Sequence, residues 1–289
     1  MRDGLPSGTS FLVAFARGLG VDERLVDPLA PNLLPRWMAR VATLPAILGP
    51  AAPAYRRAIR TATFGLVDHN VLRTEAIDAH VTQALGSGAR QLVILGAGMD
   101  ARAWRLDALK NATVFEIDHP ATQQYKRDHV AGKTPPADIR YIPVDFEKER
   151  FIERLQTAGF RPTDRSIWIW EGVTMYLPLA AVHETLAQLT RLASEGSHLA
   201  MTYRVSGHLP FGAVGRAAIP ALFAAAGEPL KSTLEPSELA SAMAPEWDVT
   251  YDEDSRGWRA LTASTADPSR AFLSERLAVL KRRRRNEGT

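Results

Sequence analysis

The chain contains no cysteine, which excludes a disulfide framework, thiolate zinc sites and thiol catalysis together. It also lacks any apolar run close to the roughly 20 residues needed to span a bilayer. The longest, around AAIPALFAAAG, falls far short of that. At the N-terminus, MRDGLPSGTSFLVAFARGLG has an apolar patch broken by Arg17 and glycines, with no small-residue cleavage pattern after it, so no signal peptide is expected. Together these absences predict a cytoplasmic protein with no membrane partner. A large charge surplus is missing too. The net charge is +3, and removing the five positive charges between Lys281 and Arg285 leaves the rest of the chain at −2. Such a body offers no nucleic-acid surface, and the basic run reads as a solvated terminal tail. What is present, 289 residues of which 46% are hydrophobic, suffices for a substantial core in one large domain.

Residues 1–60 are rich in Ala, Arg, Leu and Pro, with prolines at 28, 31, 35, 45, 50 and 53 cutting the apolar pattern into short helices. This segment is expected to be a cap or entrance and not a core. From Arg73, RTEAIDAHVTQALG places Ile77, Val81, Ala84 and Leu85 on one helical face and stops at Gly86. Four apolar runs follow, each ending in small or acidic residues: QLVIL before Gly96, TVFEID at Asp118, RYIPVDF near Asp145 and SIWIWEG at Glu171. Helical stretches separate them, and SHLAMTYRV continues the series, which implies a parallel sheet covered on both faces. Residues 206–245 read as an apolar helical insertion. EWDVTYDED and GWRALTA read as a closing pair of strands, and residues 266–289 as a C-terminal helix, with Leu273, Leu277 and Leu280 on one face, followed by the basic tail.

In an open parallel sheet the ligand lies across the carboxyl ends of the strands. There the Gly96-x-Gly98 turn allows close backbone approach, and Asp118, twenty residues beyond Gly98, is placed to accept hydrogen bonds from ribose hydroxyls. Ala101 in the third small position also satisfies the looser dinucleotide fingerprint, so a nicotinamide cofactor fits the pattern as well. Against it, Asp100 opens the following helix, where a carboxylate opposes a pyrophosphate. S-adenosylmethionine has no phosphate but does carry a sulfonium and an ammonium, and acidic residues around the turn suit it. Asp100 and Arg102 are expected to brace the loop as an ion pair. Asp118 before His119-Pro120 could also simply cap the next helix.

LGAGMDARAWRL, FEIDHP with YKR, VDFEKE and WEGVTMYLP, in that order, resemble the leucine carboxyl methyltransferase family in its broad sense, including bacterial S-adenosylmethionine-dependent O-methyltransferases similar to polyketide methyltransferases. RTEAID and GEPLKSTLEPSELASAM resemble further elements of that family, and the likeness spans roughly residues 55–265. It implies an α/β class I methyltransferase fold, Rossmann-like: a seven-stranded, mostly parallel sheet with helices on both faces and an antiparallel final hairpin. The methyltransferase domain would span 61–265, preceded by the N-terminal helical cap and carrying the insertion after the fifth strand. The resemblance further implies that Arg73 grips the methionine carboxylate, that Gly96, Ala97 and Gly98 pack against the methionine part and that Asp118 binds the ribose. Asp145 and Phe146 would flank the adenine, and Glu171 would lie near the methionine ammonium or the turn's backbone. The chain departs from the family in its proline-rich cap and in Ala101, where relatives often carry Thr.

On the acceptor side, Met175, Tyr176, Tyr203 and Arg204 are expected to face the cleft. Arg204 could grip an acidic substrate or be a solvated loop charge, and Phe211, Leu222 and Phe223 could form an apolar lid or plain core. None of the seven histidines lies in a recognisable base motif, and methyl transfer needs alignment more than a base. The expected activity is S-adenosylmethionine-dependent O-methylation of a small, aromatic or polyketide-like hydroxyl or carboxyl acceptor, with no metal. The alternatives are a nicotinamide-dependent oxidoreductase and a non-catalytic RNA-associated protein using the basic tail.

Overall fold

The computed structural model describes residues 7–22, 25, 27–146, 149–207 and 228–284. Its centre is a seven-stranded sheet of order β3-β2-β1-β4-β5-β7-β6. The strands are β1 (Gln91–Leu95), β2 (Thr113–Asp118), β3 (Asp138–Pro143), β4 (Ser166–Trp170), β5 (His198–Arg204), β6 (Trp247–Glu253) and β7 (Glu275–Arg282). β1 to β5 pair in parallel, and β7 runs antiparallel between β5 and β6. Every residue of β1 and β4 is buried, as expected for strands covered on both faces. The five parallel strands predicted from the sequence are all present.

The N-terminal prolines do divide the chain into short helices: α1 (Gly8–Gly18), α2 (Ala30–Leu33), α3 (Arg36–Thr43) and α4 (Ala52–Ala62). Yet this segment is part of the core. Ala14, Phe15, Leu19, Leu29 and Leu33 join the same apolar cluster as Leu92, Ile94 and Val114 of the sheet. The bridge is α5 (Leu66–Gly86), which starts seven residues before Arg73, after Gly65 at φ +78°. Arg73 therefore lies inside a buried helix and is not a residue at a helix start. The opposite sheet face packs on α8 (Ile152–Thr157), α9 (Leu179–Leu192) and α10 (Pro236–Met243), with Trp168, Trp170 and Trp247 at its centre.

The C-terminal third corrects two expectations. GWRALTA is not a strand but most of α11 (Ser255–Thr262), whose N-cap Asp254 accepts the Arg256 N–H at 2.9 Å and whose Trp258 is fully buried. ERLAVLKR is not a helix but β7. Leu277, Ala278, Val279 and Leu280 are all buried because an interior strand covers both of its faces. Lys281 and Arg282 consequently belong to the sheet rather than to a tail, and Arg283 pairs with Asp248 at 2.7 Å. Half of the 206–245 insertion, including Phe211, Leu222 and Phe223, lies outside the described residues, as does AAIPALFAAAG; the remainder contains α10. Among the described residues no helix is long and apolar enough to cross a membrane.

Candidate functional site

Strand order reverses between β1 and β4, the position where an open α/β sheet leaves a crevice at its carboxyl edge. A cleft of about 320 Å³ opens there, within the size range of small-molecule sites. Its floor is the turn after β1. Gly96 and Gly98 adopt φ of +71° and +50°, a region that disfavours any side chain. A Cβ on Gly96 would also come within 2.4 Å of Val173 Cγ2.

Asp118 ends β2 and folds back onto this turn. One carboxylate oxygen accepts the Gly98 N–H, and the other accepts the His119 N–H at 2.6 Å. Burial raises its pKa, against the pull of these backbone donors. The capping role considered for Asp118 falls instead to His119, whose Nδ1 accepts the Ala121 N–H of α7 (Pro120–His129) at 3.3 Å. Each Asp118 oxygen retains a second lone pair for a ligand hydroxyl. Asp145 and Phe146 follow β3 and reach the same cleft.

Beneath the turn runs a chain of buried charges. Arg73 Nε donates to Glu171 Oε1 at 2.9 Å, and Arg73 Nη1 donates to Glu275 Oε1 at 2.8 Å. Glu171 Oε2 continues the chain to Arg102 Nη1 at 2.9 Å. Arg102 also pairs with Asp100, as the expected loop brace, and with Asp78 at 2.7 Å. The two charged ends of RTEAID thus hold opposite ends of one network. Burial pushes the Glu171 pKa up, but Arg102 and Arg73 outweigh it and keep the carboxylate ionised; the same balance lowers Asp100 and, through Arg73 and His69, brings Glu275 to about 2. Burial opposes the charge on Arg73, yet Glu275 and Glu171 raise its pKa.

The cleft wall includes Arg73, Gly96, Ala97, Gly98, Asp118, Asp145, Phe146 and Glu171, and, of the four residues expected to face an acceptor, Met175, Tyr176 and Arg204. Tyr203 is the exception. Alternation along β5 turns it to the other face, where its hydroxyl donates to Asp252 at 2.6 Å and its ring is buried. Burial raises the pKa of Tyr176.

Four cleft residues went unread in the sequence. Glu275 and its partner His69, 2.6 Å apart, carry no local signal: leucines at helical spacing around Glu275 hide the strand, and the pair forms only when β7 meets α5. In the sequence Arg17 shows only as a break in an apolar patch. It crosses from α1 to the turn, where Nη2 donates to the Met99 carbonyl, and Nε pairs with Asp27 at 2.7 Å. Glu228, buried, accepts the Thr9 N–H at 3.3 Å and so ties the segment beyond β5 to the start of α1. A charged residue inside an otherwise apolar helix face, as at Arg17, was the available signal for it.

The sheet order, the glycine turn at its reversal and the acidic strand ends define a Rossmann-like class I methyltransferase fold. A family model described as leucine carboxyl methyltransferase matches residues 10–190, and the chain belongs to that family. The match begins within α1 and takes in α2 to α4, so the proline-rich segment lies inside the family region. A protein of Mycolicibacterium paratuberculosis named as a candidate S-adenosyl-L-methionine-dependent methyltransferase is 34% identical over 67% of this chain and 64% of its own length. A protein of a Mycobacterium species with the same name is 35% identical over 68% of this chain and 67% of its own length. The chain thus spans about two thirds or slightly less of these relatives. Among solved structures, a candidate methyltransferase from Thermobifida fusca superposes with a TM-score of 0.62 at 15% identity, over 98% of this chain and 97% of its own. A family protein of unassigned function from Streptomyces avermitilis does so at 0.60 and 15% identity, over 81% of this chain and 91% of its own. These two likenesses concern the fold.

The donor set fits S-adenosylmethionine, the cofactor of this family. A cation (Arg73), a carboxylate (Asp118) and an aromatic side chain (Phe146) stand together in the cleft, at the ends of β2 and β3 and on the helix beside them. The buried carboxylates around the turn give a phosphate-bearing cofactor no cationic cradle of its own.

Proposed function

We propose that the protein transfers the methyl group of S-adenosylmethionine to an oxygen atom of a small acceptor, a hydroxyl or a carboxylate. The observation that carries this reading is the junction of the positive-φ glycine turn with Asp118 at the point where strand order reverses. In this reading Arg73, already oriented by Glu171 and Glu275, offers its remaining donor capacity to the methionine carboxylate. Gly96, Ala97 and Gly98 pack against the methionine part without side-chain obstruction, and Asp118 takes the ribose hydroxyls. Asp145 accepts from the adenine amine, and Phe146 covers one face of the ring. Glu171 acts by holding Arg73 and Arg102, and not by touching the methionine ammonium.

Once bound, the cofactor supplies a methyl group activated by its sulfonium, so that an acceptor oxygen forms the new O–C bond as the C–S electron pair returns to sulfur. The chain's task is alignment and exclusion of water. α1 and the segment at Glu228, joined through Thr9, cover the cleft for that purpose. The cover favours a small molecule over a protein terminus. The family's name points to a carboxyl group, and an ionised carboxylate needs no base; a hydroxyl acceptor would use a neighbouring carboxylate such as Glu228.

The test is incubation with methyl-labelled S-adenosylmethionine and a panel of phenols and carboxylic acids. Labelled product supports methyl transfer, and its release as methanol in alkali separates an ester from an ether. Thermal stabilisation by NADH, with no labelled product and no S-adenosylhomocysteine binding, would contradict the reading.

A further inference from the structure

Three arginines line the cleft, and two of them are neutralised by the protein. Arg17 pairs with Asp27 at 2.7 Å, and Arg73 pairs with Glu171 and Glu275 at 2.9 and 2.8 Å. Arg204 is different. It is the last residue of β5, and its place is fixed by its own carbonyl, which accepts the Leu234 N–H at 2.9 Å. Its side chain enters the cleft, its Nε is buried without a hydrogen bond, and no carboxylate pairs with it among the described residues. In the antiparallel ladder Arg204 stands directly opposite Glu275. Residues so opposed lie side by side on one face, where opposite charges normally pair. Glu275 is instead committed to His69 at 2.6 Å and to Arg73 at 2.8 Å. The natural partner of Arg204 is thereby withdrawn, and burial depresses its pKa, with nearby Tyr176 opposing.

Leaving a half-buried guanidinium without a counter-ion is costly unless a ligand completes it. The planar fork of arginine suits a carboxylate, through two parallel N–H···O bonds. We propose that the methyl acceptor is a carboxylate-bearing organic anion and that Arg204 is its anchoring residue. This rests on the methyltransferase reading, since the position of Arg204 beside Met175 and Tyr176 is what makes it acceptor-side. Arg73, gripped by two carboxylates, leaves Arg204 as the cleft arginine without a counter-ion among the described residues.

The experiment is calorimetric titration of the full chain, with and without saturating S-adenosylhomocysteine, using acids and their primary amides as matched probes: benzoate and benzamide, 4-hydroxycinnamate and its amide, decanoate and decanamide. The expected result is that at least one acid binds about tenfold or more tightly than its amide. Arg204→Met should bring that pair to within about twofold, and Arg204→Lys, which keeps the charge but loses the fork, should lie between. Unchanged affinity for S-adenosylhomocysteine in both variants would show that they fold and that the effect is local. Acids and amides behaving alike across the set would overturn the proposal, as would a preference that survives Arg204→Met. Failure of S-adenosylhomocysteine to bind the unaltered protein would instead strike the cofactor reading, and the acid–amide comparison without it still judges Arg204.

Discussion

The half of the cleft built on β1, β2 and β4 and the half built on β5 handle charge in opposite ways. Around the glycine turn, Asp78, Arg102, Glu171, Arg73, Glu275 and His69 pair opposite charges in a continuous buried chain, although Arg102 Nη2 and His69 Nδ1 make no hydrogen bond among the described residues. At the end of β5, Arg204 faces the same cleft with no counter-ion among the described residues. A self-neutralised network holds its groups in place before any ligand arrives, which suits a cofactor that is the same in every turnover. An unneutralised cation selects whatever brings the missing charge, which suits recognition of a particular acceptor.

The strongest way to break this contrast is to cut the network at its centre. Glu171→Ala leaves both Arg73 and Arg102 short of a carboxylate inside the protein, and a loss of about 3 kcal/mol in unfolding free energy is expected from chemical denaturation. A loss below about 1 kcal/mol would mean the network is solvated and not a fixed scaffold. Next in size is Gly96→Ala. At φ +71°, with Val173 Cγ2 only 2.4 Å from the added Cβ, the turn must shift. Destabilisation of about 1–2 kcal/mol and weakened S-adenosylhomocysteine binding should appear together. Stability lost with affinity intact would separate the turn from the site.

Acid titration sharpens the comparison. Glu275 has a folded-state pKa of about 2, below its unfolded value, so it binds fewer protons folded than unfolded and contributes stability above that unfolded value. This contribution is lost as pH falls from roughly 4.5 towards 2. Glu275→Gln should flatten that part of the stability profile, measured by thermal melting across the range; an unchanged slope would place the acid sensitivity elsewhere. The smallest effect is expected at the chain's end. Deletion from Arg284 onward spares β7 and should change stability by less than about 0.5 kcal/mol. Salt-dependent RNA binding lost in this deletion would revive a role for the basic run.

How much of this was legible in the sequence follows the same division. Each of the first five strands ends in a turn or an acidic residue, and regular spacing between helices made β1 to β5 and the ligand edge readable. The glycine turn and Asp118 needed only local spacing. β7 was unreadable by period alone: Leu273, Leu277 and Leu280 satisfy a helical face, while an interior strand buried on both sides shows no alternation. That error carried Glu275 away from the site and with it the explanation for Arg204, because their opposition exists only through antiparallel pairing of distant segments. Tyr203 and Arg204 show the reverse case. Their adjacency was plain, but which of the two enters the cleft depended on the face that β5 presents to α5.

The central claim is that the turn after β1, completed by Asp118, holds S-adenosylmethionine. Calorimetric titration of the purified chain with S-adenosylmethionine and S-adenosylhomocysteine, alongside the Asp118→Ala variant, tests it most directly. The account predicts binding of both ligands to the unaltered chain and a loss of about 2 kcal/mol, roughly thirtyfold in Kd, in the variant. A folded protein that binds neither ligand, or one whose affinity is untouched by Asp118→Ala, would contradict it.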